Sequence, residues 1–433
     1  MIKNLNWLLV KFIQILGNLQ IAILLLLAIA INSGLGTLIE QEKPLNFYET
    51  AYSNSKPIFG FINSDLIISL GLDHIYTVWW FILLIILFGS SLISCTFSRQ
   101  IPSLKLARIW KYYNNSRTFK NMELNFSIKE GSLSYTSFLL KKNRYKVLQQ
   151  GPFIYAYRGL IGKIGPIVVH LSIILILLGS LIGLISGYVI QEIVPRGNLF
   201  HLQNSISSGM LSYIPQNVEG YVKDFKIIYT EEGSIDQFYS DLSILDEEGK
   251  EKSNKIIYVN EPLKFNGISF YQTDWGIVSA KIIIDDNKFS QVPLKLINEA
   301  SARFWVGSIP TQKNSENLLI IFQDLTGKFQ IYNDKQDLIS ENEVGDKFFL
   351  NGHTIRVMNI ITSTGLQIKS DPGINFVYFG FMLLIVSVAL SYVSYDQLWA
   401  FKTGSDLYIS GQTNRATYSF QRQFLSIVAE LNL

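Results

Sequence analysis

The 433-residue chain is 48% apolar and 16% charged, with a net charge of +3 and a positive mean hydropathy. That balance departs from soluble averages toward a membrane protein and gives no reason to expect a nucleic-acid partner. The single cysteine, Cys95, excludes an internal disulfide and a Cys-x-x-Cys redox pair; it is expected to be a small buried apolar residue.

In chain order, the apolar residues gather into four charge-free windows at residues 12–39, 74–98, 164–190 and 372–395. Each is close to the roughly 20 residues that a spanning helix requires. Residues 1–10 lack a transit-type composition and the exit of the first window lacks an A-x-A cleavage site, so the first helix is expected to be retained. The segments between the windows alternate in sign. Residues 40–73 carry two Lys against five acids, residues 99–163 carry thirteen Lys and Arg against Glu123 and Glu130, and residues 189–371 carry seventeen basic against twenty-four acidic residues. By the positive-inside rule the N-terminus (Lys3, Lys11), the basic segment and the C-terminal tail lie on the cytoplasmic or stromal side. The first loop and the acidic domain then face the periplasm or thylakoid lumen.

Within the basic segment, residues 132–142 read as helix, and residues 145–148 and 153–157 read as strands around the turn Gln149-Gln150-Gly151-Pro152. A surface resting on anionic lipid explains its charge. The acidic domain reads as antiparallel β, with strands expected at residues 225–229, 242–245, 256–259, 268–272, 280–284, 318–322, 329–332 and 354–357. Two Asn-Gly turns stand in related contexts, at residues 263–267 and 348–352, which raises a weak internal duplication of two β layers. The expected fold class is an integral membrane α-helical protein with four transmembrane helices, a large extramembrane antiparallel β domain and a small cytoplasmic or stromal α/β subdomain. Its divisions are 1–39, 40–73, 74–98, 99–163, 164–190, 191–371, 372–395 and 396–433.

His170 is the one histidine well inside a charge-free window, and it lies seven residues past Lys163, about 10 Å along a helix. On a helical wheel Gly165, Ser172, Gly179, Gly183 and Gly187 form a small-residue ridge that admits a close neighbour, while His170 points elsewhere with Pro166, Ile174, Leu177, Leu181 and Leu184. Two readings stand: an axial ligand to a porphyrin lying on aliphatic side chains, or an imidazole hydrogen-bonded to a neighbouring helix. If iron at His170 took two histidines, the second would come from another chain, because His74 stands at the opposite membrane face and His201 and His353 belong to the exported domain. His201 and His353 could each receive haem or touch a client, against an ordinary surface role. Trp275, in the run Phe270-Tyr271-Gln272-Thr273-Asp274-Trp275-Gly276, reads either as part of a ligand-facing strand end or as core packing with a polar handle. No Walker A, G-x-S-x-G or H-E-x-x-H pattern occurs, and no window contains an Asp, Glu, Lys or Arg, which argues against ion-coupled transport.

Several stretches resemble the ResB or CcsB type of system II cytochrome c biogenesis proteins of bacteria and plastids. They are residues 21–41 (IAILLLLAIAINSGLGTLIEQ); Trp79-Trp80-Phe81 followed by Leu92-Ile93-Ser94-Cys95-Thr96, Arg99 and Pro102; Gly165-Pro166-Ile167-Val168-Val169-His170-Leu171 through Leu178-Gly179; and Gly411-Gln412-Thr413-Asn414-Arg415-Ala416, which resembles a stretch of the plastid and cyanobacterial branch. The resemblance implies a subunit that moves haem b in transit across the membrane and presents apocytochrome c for covalent attachment, with His170 as haem ligand. It also implies a CcsA-type tryptophan-rich membrane partner, the apocytochrome c client and a thioredoxin-like thiol reductant, all at a lipid membrane. A plastid thylakoid membrane is the expected location, or a cyanobacterial or bacterial inner membrane; the abundance of Ile, Asn, Lys, Phe and Tyr is what an AT-rich genome produces. The chain is not expected to be an enzyme alone. The alternatives are a scaffold or client chaperone that never contacts haem, and a transporter subunit.

Overall fold

A computed structural model describes residues 7, 11–53, 57–231, 234–299, 302–309, 318–333, 335, 337–350 and 353–432. Apart from Trp7, the N-terminal segment 1–10 lies outside them, as do Asn351 and Gly352 of the second Asn-Gly turn. The chain forms two compact units, residues 1–180 with 374–433, and residues 181–373.

Among the described residues, four helices are long and apolar enough to cross a membrane: Leu19–Leu38, a span Trp79–Ala107, Ile161–Ser186 and Ile374–Ser391. Polar groups trim them relative to the charge-free windows. The window 12–39 is helical from its start but interrupted: residues 11–16 are helix, Gly17 and Asn18 break it, and Asn18 caps the long helix Leu19–Leu38 by accepting from Gln20 N at 3.1 Å. The third begins before its window, at Ile161, and stops at Ser186. Residues 188–190, assigned to the window on charge alone, are instead the start of strand Tyr188–Pro195. Apolar strand residues and apolar helix residues are indistinguishable by charge, which explains the overrun.

In the first unit, the loop after the first helix folds around buried Tyr48, Ile62, Ile67 and Ile75. Tyr48 Oη donates to Glu40 O at 2.6 Å, closing that small core. The basic segment supplies strands Leu124–Lys129, Lys146–Gln150 and Phe153–Arg158 and helix Leu133–Lys142. Gln149 and Gln150, read as turn residues, stay in the strand, and the reversal is made by Gly151, at φ +54°, with Pro152. The C-terminal residues are not a simple tail. Strands Asp396–Thr403 and Asp406–Thr413 insert into the middle of this sheet, between Leu124–Lys129 and Phe153–Arg158, in a fully antiparallel order. Helices Leu133–Lys142 and Thr417–Leu431 cover one face through Leu139, Leu140, Phe420, Phe424 and Ile427. The other face carries Phe119, Tyr155 and Trp399.

The second unit is antiparallel β throughout its sheets. Two long strands, Ile268–Ile284 and His353–Ser370, pair along their whole length. Residues 268–272 and 280–284, expected as separate strands, are the two ends of the first. Register shifts at Gln272/Asp274 and Ile277/Ser279 spoil the alternation between them, which hides their continuity from a period-2 reading. The long strands serve two cores. Ile268, Phe270, Leu366 and Ile368 pack with Val222, Leu242, Ile244 and Ile257 of a four-stranded sheet, while Ile277, Ile282, Ile355 and Val357 pack with Trp305, Ile320, Phe322 and Ile331 of a five-stranded meander. Asn266 (φ +46°) and Gly267 (φ +79°) turn the short strand Leu263–Phe265 into the first long strand. The short strand Lys347–Leu350 pairs with the start of the second, Leu350 opposite His353.

Candidate functional site

The third apolar helix presents two faces to two neighbours. Its glycine ridge receives the end of the fourth helix and the residues just after it: a Cβ on Gly165 would stand 2.5 Å from Ser391 Oγ, and one on Gly162 would stand 1.9 Å from Val393 O. Backbone approach this close requires glycine on the ridge. The opposite face meets the second helix, where Leu177 Cδ1 lies 3.7 Å from the position of a Cβ on Gly89.

On that same face His170 meets a local change of helix type. Residues Thr96–Gln100 form one π turn, in which Ile101 N bonds to Thr96 O, and such turns recur at functional positions. His170 Nδ1 lies 2.9 Å from Thr96 Oγ1 and 3.4 Å from Leu92 O, and Nε2 lies 3.0 Å from Gln100 Nε2. The Thr96 hydroxyl donates to Leu92 O at 2.8 Å, so it is an acceptor for the imidazole. Both groups facing Nδ1 therefore accept. This places the proton on Nδ1 and leaves the Nε2 lone pair toward the Gln100 amide. Among the described residues Gln100 Oε1 is buried with no hydrogen-bond partner, and the hydrogen bond between the Gln100 amide and His170 joins that side chain to the third helix.

The geometry realises the plainer of the two sequence readings, an imidazole bonded to a neighbouring helix. The sequence reading did not single out Gln100. Its signal was a pair of polar residues, Thr96 and Gln100, four apart at the end of an otherwise apolar run.

The remaining candidates lie in the second unit and do not converge with one another. His201 Nδ1 stands 3.7 Å from Glu219 Oε1, its partner across the strand pair. His353 Nδ1 is 2.6 Å from Asp285 Oδ2, and Asp285 Oδ1 accepts from Thr354 N at 3.0 Å. The His353 and Thr354 bonds hold the Asp285 carboxyl below the usual carboxylate range. Trp275 sits in the middle of its long strand and not at a strand end, with its ring 4.7 Å from Trp305 at the edge of a core. Among the described residues no three His, Cys, Asp or Glu side chains gather as a metal-ion donor set. Cys95 ends the second helix just before the π turn and is half-buried.

The C-terminal Gly-x-Thr-Asn-Arg-Ala stretch clamps the end of the fourth helix. Arg415 Nη1 donates to Ser391 O at 2.5 Å, Asn414 Oδ1 accepts from Tyr395 N at 2.8 Å, and Thr413 Oγ1 donates to Asp396 Oδ1 at 2.7 Å. Ala416 turns at φ +52° into the last helix. Asp396, 1% exposed, also accepts from Arg158 Nη2 at 2.7 Å. Thr413, Asn414 and Arg415 of the motif thus close a carboxylate, an amide and a carbonyl at and just beyond the helix end.

The sequence profile of the ResB-like family matches residues 19–352 and 311–425. The chain belongs to that family. This ResB-like protein is 53% identical over 427 residues to the cytochrome c biogenesis protein Ccs1 of Rhodomonas salina, covering 98% of this chain and 97% of that one. It is 45% identical over 426 residues to Ccs1 of Pyropia yezoensis (98% and 96%) and 43% identical over 425 residues to the cytochrome c biogenesis protein CcsB of Crocosphaera subtropica (97% and 94%). Near-complete coverage in both directions means that the His170 helix, the π turn and the C-terminal clamp all fall within the shared length of this ResB-like protein and its relatives.

Proposed function

We propose that this chain acts in cytochrome c biogenesis as a membrane subunit that helps carry haem across the bilayer and presents apocytochrome c for covalent attachment on the lumenal or periplasmic side. The names of its relatives support the broad role. The observation that carries the finer reading is His170: an imidazole with its proton directed to Thr96 and its Nε2 lone pair held by Gln100 alone. Haem is cargo here. Rotation of the Gln100 side chain would free Nε2 to ligate iron, while Thr96 keeps the ring oriented, as outer-shell partners do for ligating histidines. A second axial ligand would come from a CcsA-type tryptophan-rich partner. Haem attachment forms thioethers at the vinyl groups and needs reduced client thiols, so a thioredoxin-like reductant on the same side completes the set. The location that fits is a plastid thylakoid membrane or its cyanobacterial counterpart.

The test is the absorption spectrum of the chain purified with its CcsA-type partner, comparing wild type with His170→Gly, with and without imidazole. A bis-histidine spectrum lost in the variant and restored by imidazole supports the conduit. An unchanged spectrum overturns it and favours the scaffold reading, which the bonding of both ring nitrogens within this chain also fits.

A further inference from the structure

Residues 197–218 contain no Asp, Glu, Lys or Arg, although the unit around them is rich in charge. This stretch includes a tight turn at residues 209–212, closed by Ser212 N to Gly209 O at 3.0 Å. The turn is seated on the last turn of the third apolar helix. Gly209 N donates to Gly187 O at 2.9 Å and Leu211 N donates to Ile185 O at 2.8 Å, which satisfies two carbonyls at the helix end. The contact is built for glycine, because a Cβ on Gly209 would stand 2.2 Å from Ile185 O. From this fixed turn Met210, Leu211 and Tyr213 project with 89%, 68% and 78% of their surfaces exposed.

We infer that the 209–213 turn is an interfacial membrane anchor, with Met210 and Leu211 dipping into the lipid boundary and Tyr213 at headgroup level. The inference rests on the reading that the third apolar helix spans the bilayer. That helix has 26 residues, roughly 39 Å at 1.5 Å per residue, against a hydrocarbon core of about 30 Å. Its final turn therefore lies in the boundary layer, and the backbone bonds hold the 209–213 turn at that depth. A lipid surface suits this segment: the flanking chain brings no carboxylate to desolvate, and an amphipathic tyrosine ring belongs at the headgroup boundary. The exported domain would then touch the membrane through a third point, in addition to the two helices that enter it.

Spin labels test this in the full-length chain reconstituted in phosphatidylcholine and phosphatidylglycerol liposomes. The single cysteine is removed by Cys95→Ala and labels are placed through Met210→Cys or Leu211→Cys, with Leu178→Cys on the exposed side of the third helix and Phe289→Cys on an exposed strand as references. Power saturation with oxygen and with a water-soluble nickel chelate reads depth. The expected result is an oxygen-to-nickel accessibility ratio at 210 and 211 severalfold above that at 289 and below that at 178. Nickel accessibility at both sites equal to that at 289 overturns the anchor, and so does exclusion of both reagents, which would mean that protein covers the turn. A water-like label at 178 would instead overturn the spanning reading itself.

Discussion

His170 and Gln100 face each other across two helices with their Nε2 atoms 3.0 Å apart, and the Gln100 carbonyl oxygen is buried without a partner among the described residues. The bond blocks the imidazole nitrogen that a metal would need, at the modest strength of one neutral hydrogen bond. On the proposed role, an iron–nitrogen bond would have to displace this one hydrogen bond.

Gln100→Ala removes the competing donor and is expected to raise haem affinity of the complex by about 2–10-fold, the equivalent of about 0.5–1.5 kcal/mol for one hydrogen bond. Haem titration followed by absorption measures it. A loss of haem on Gln100→Ala would mean that the amide holds the cargo and does not gate it.

Thr96→Val keeps the volume but takes away the acceptor for Nδ1–H. Weaker haem retention is expected, about 10-fold or more as for other outer-shell partners. Thr96→Ser should restore it, separating the hydroxyl from the methyl group.

Asp396→Ala leaves Arg158 half-buried beside Gln423 and frees Thr413 from its acceptor. Breaking such a pair costs about 3 kcal/mol, enough to lower the melting temperature of the detergent-solubilised chain and to open the 396–432 region to protease. Proteolysis identical to wild type would show that the clamp does not need its carboxylate.

Gly165→Ala places a methyl group against Ser391 and is expected to cost about 1–3 kcal/mol. Gly89→Ala, whose nearest contact is 3.7 Å away, should be neutral or stabilising by up to about 1 kcal/mol. Thermal unfolding of the two variants side by side tests whether the third and fourth helices meet as closely as the geometry requires.

Asp285 has its carboxyl held below the ordinary range by His353 and by Thr354 N–H. A carboxylate lowered in the folded state adds stability above its unfolded value, near pH 3.9, and loses it as pH falls through the lower folded value. The melting-temperature difference between wild type and Asp285→Asn should therefore be present at neutral pH and shrink toward zero in acid. A difference that grows in acid would reverse the assignment.

The sequence by itself determined what depends on local composition. Charge-free windows marked the four apolar helices because a run of about twenty uncharged residues is itself the physical requirement. Alternation found strands such as Leu318–Phe322, whose inward residues are buried in turn. Helix Leu133–Lys142 was legible too, since Ser132 caps it and Leu133, Leu139 and Leu140 turn to the core, although Phe138 stays exposed. His170 stood out because a polar ring in an apolar helix needs partners, whichever they are.

Tertiary structure alone decided which residues those partners are. Thr96 and Gln100 lie 74 and 70 residues before His170, and their geometry depends on a π turn that no local propensity announces. Pairing across long separations placed residues 396–413 inside a sheet begun at residue 124, and it welded two expected strands into one across bulges near Asp274 and Val278. Hydrogen-bonded ladders take register from the partner strand and helix contacts take it from the facing side chains. Neither partner is written in the segment that needs it, so the sequence named the groups requiring company and only the fold supplied the company.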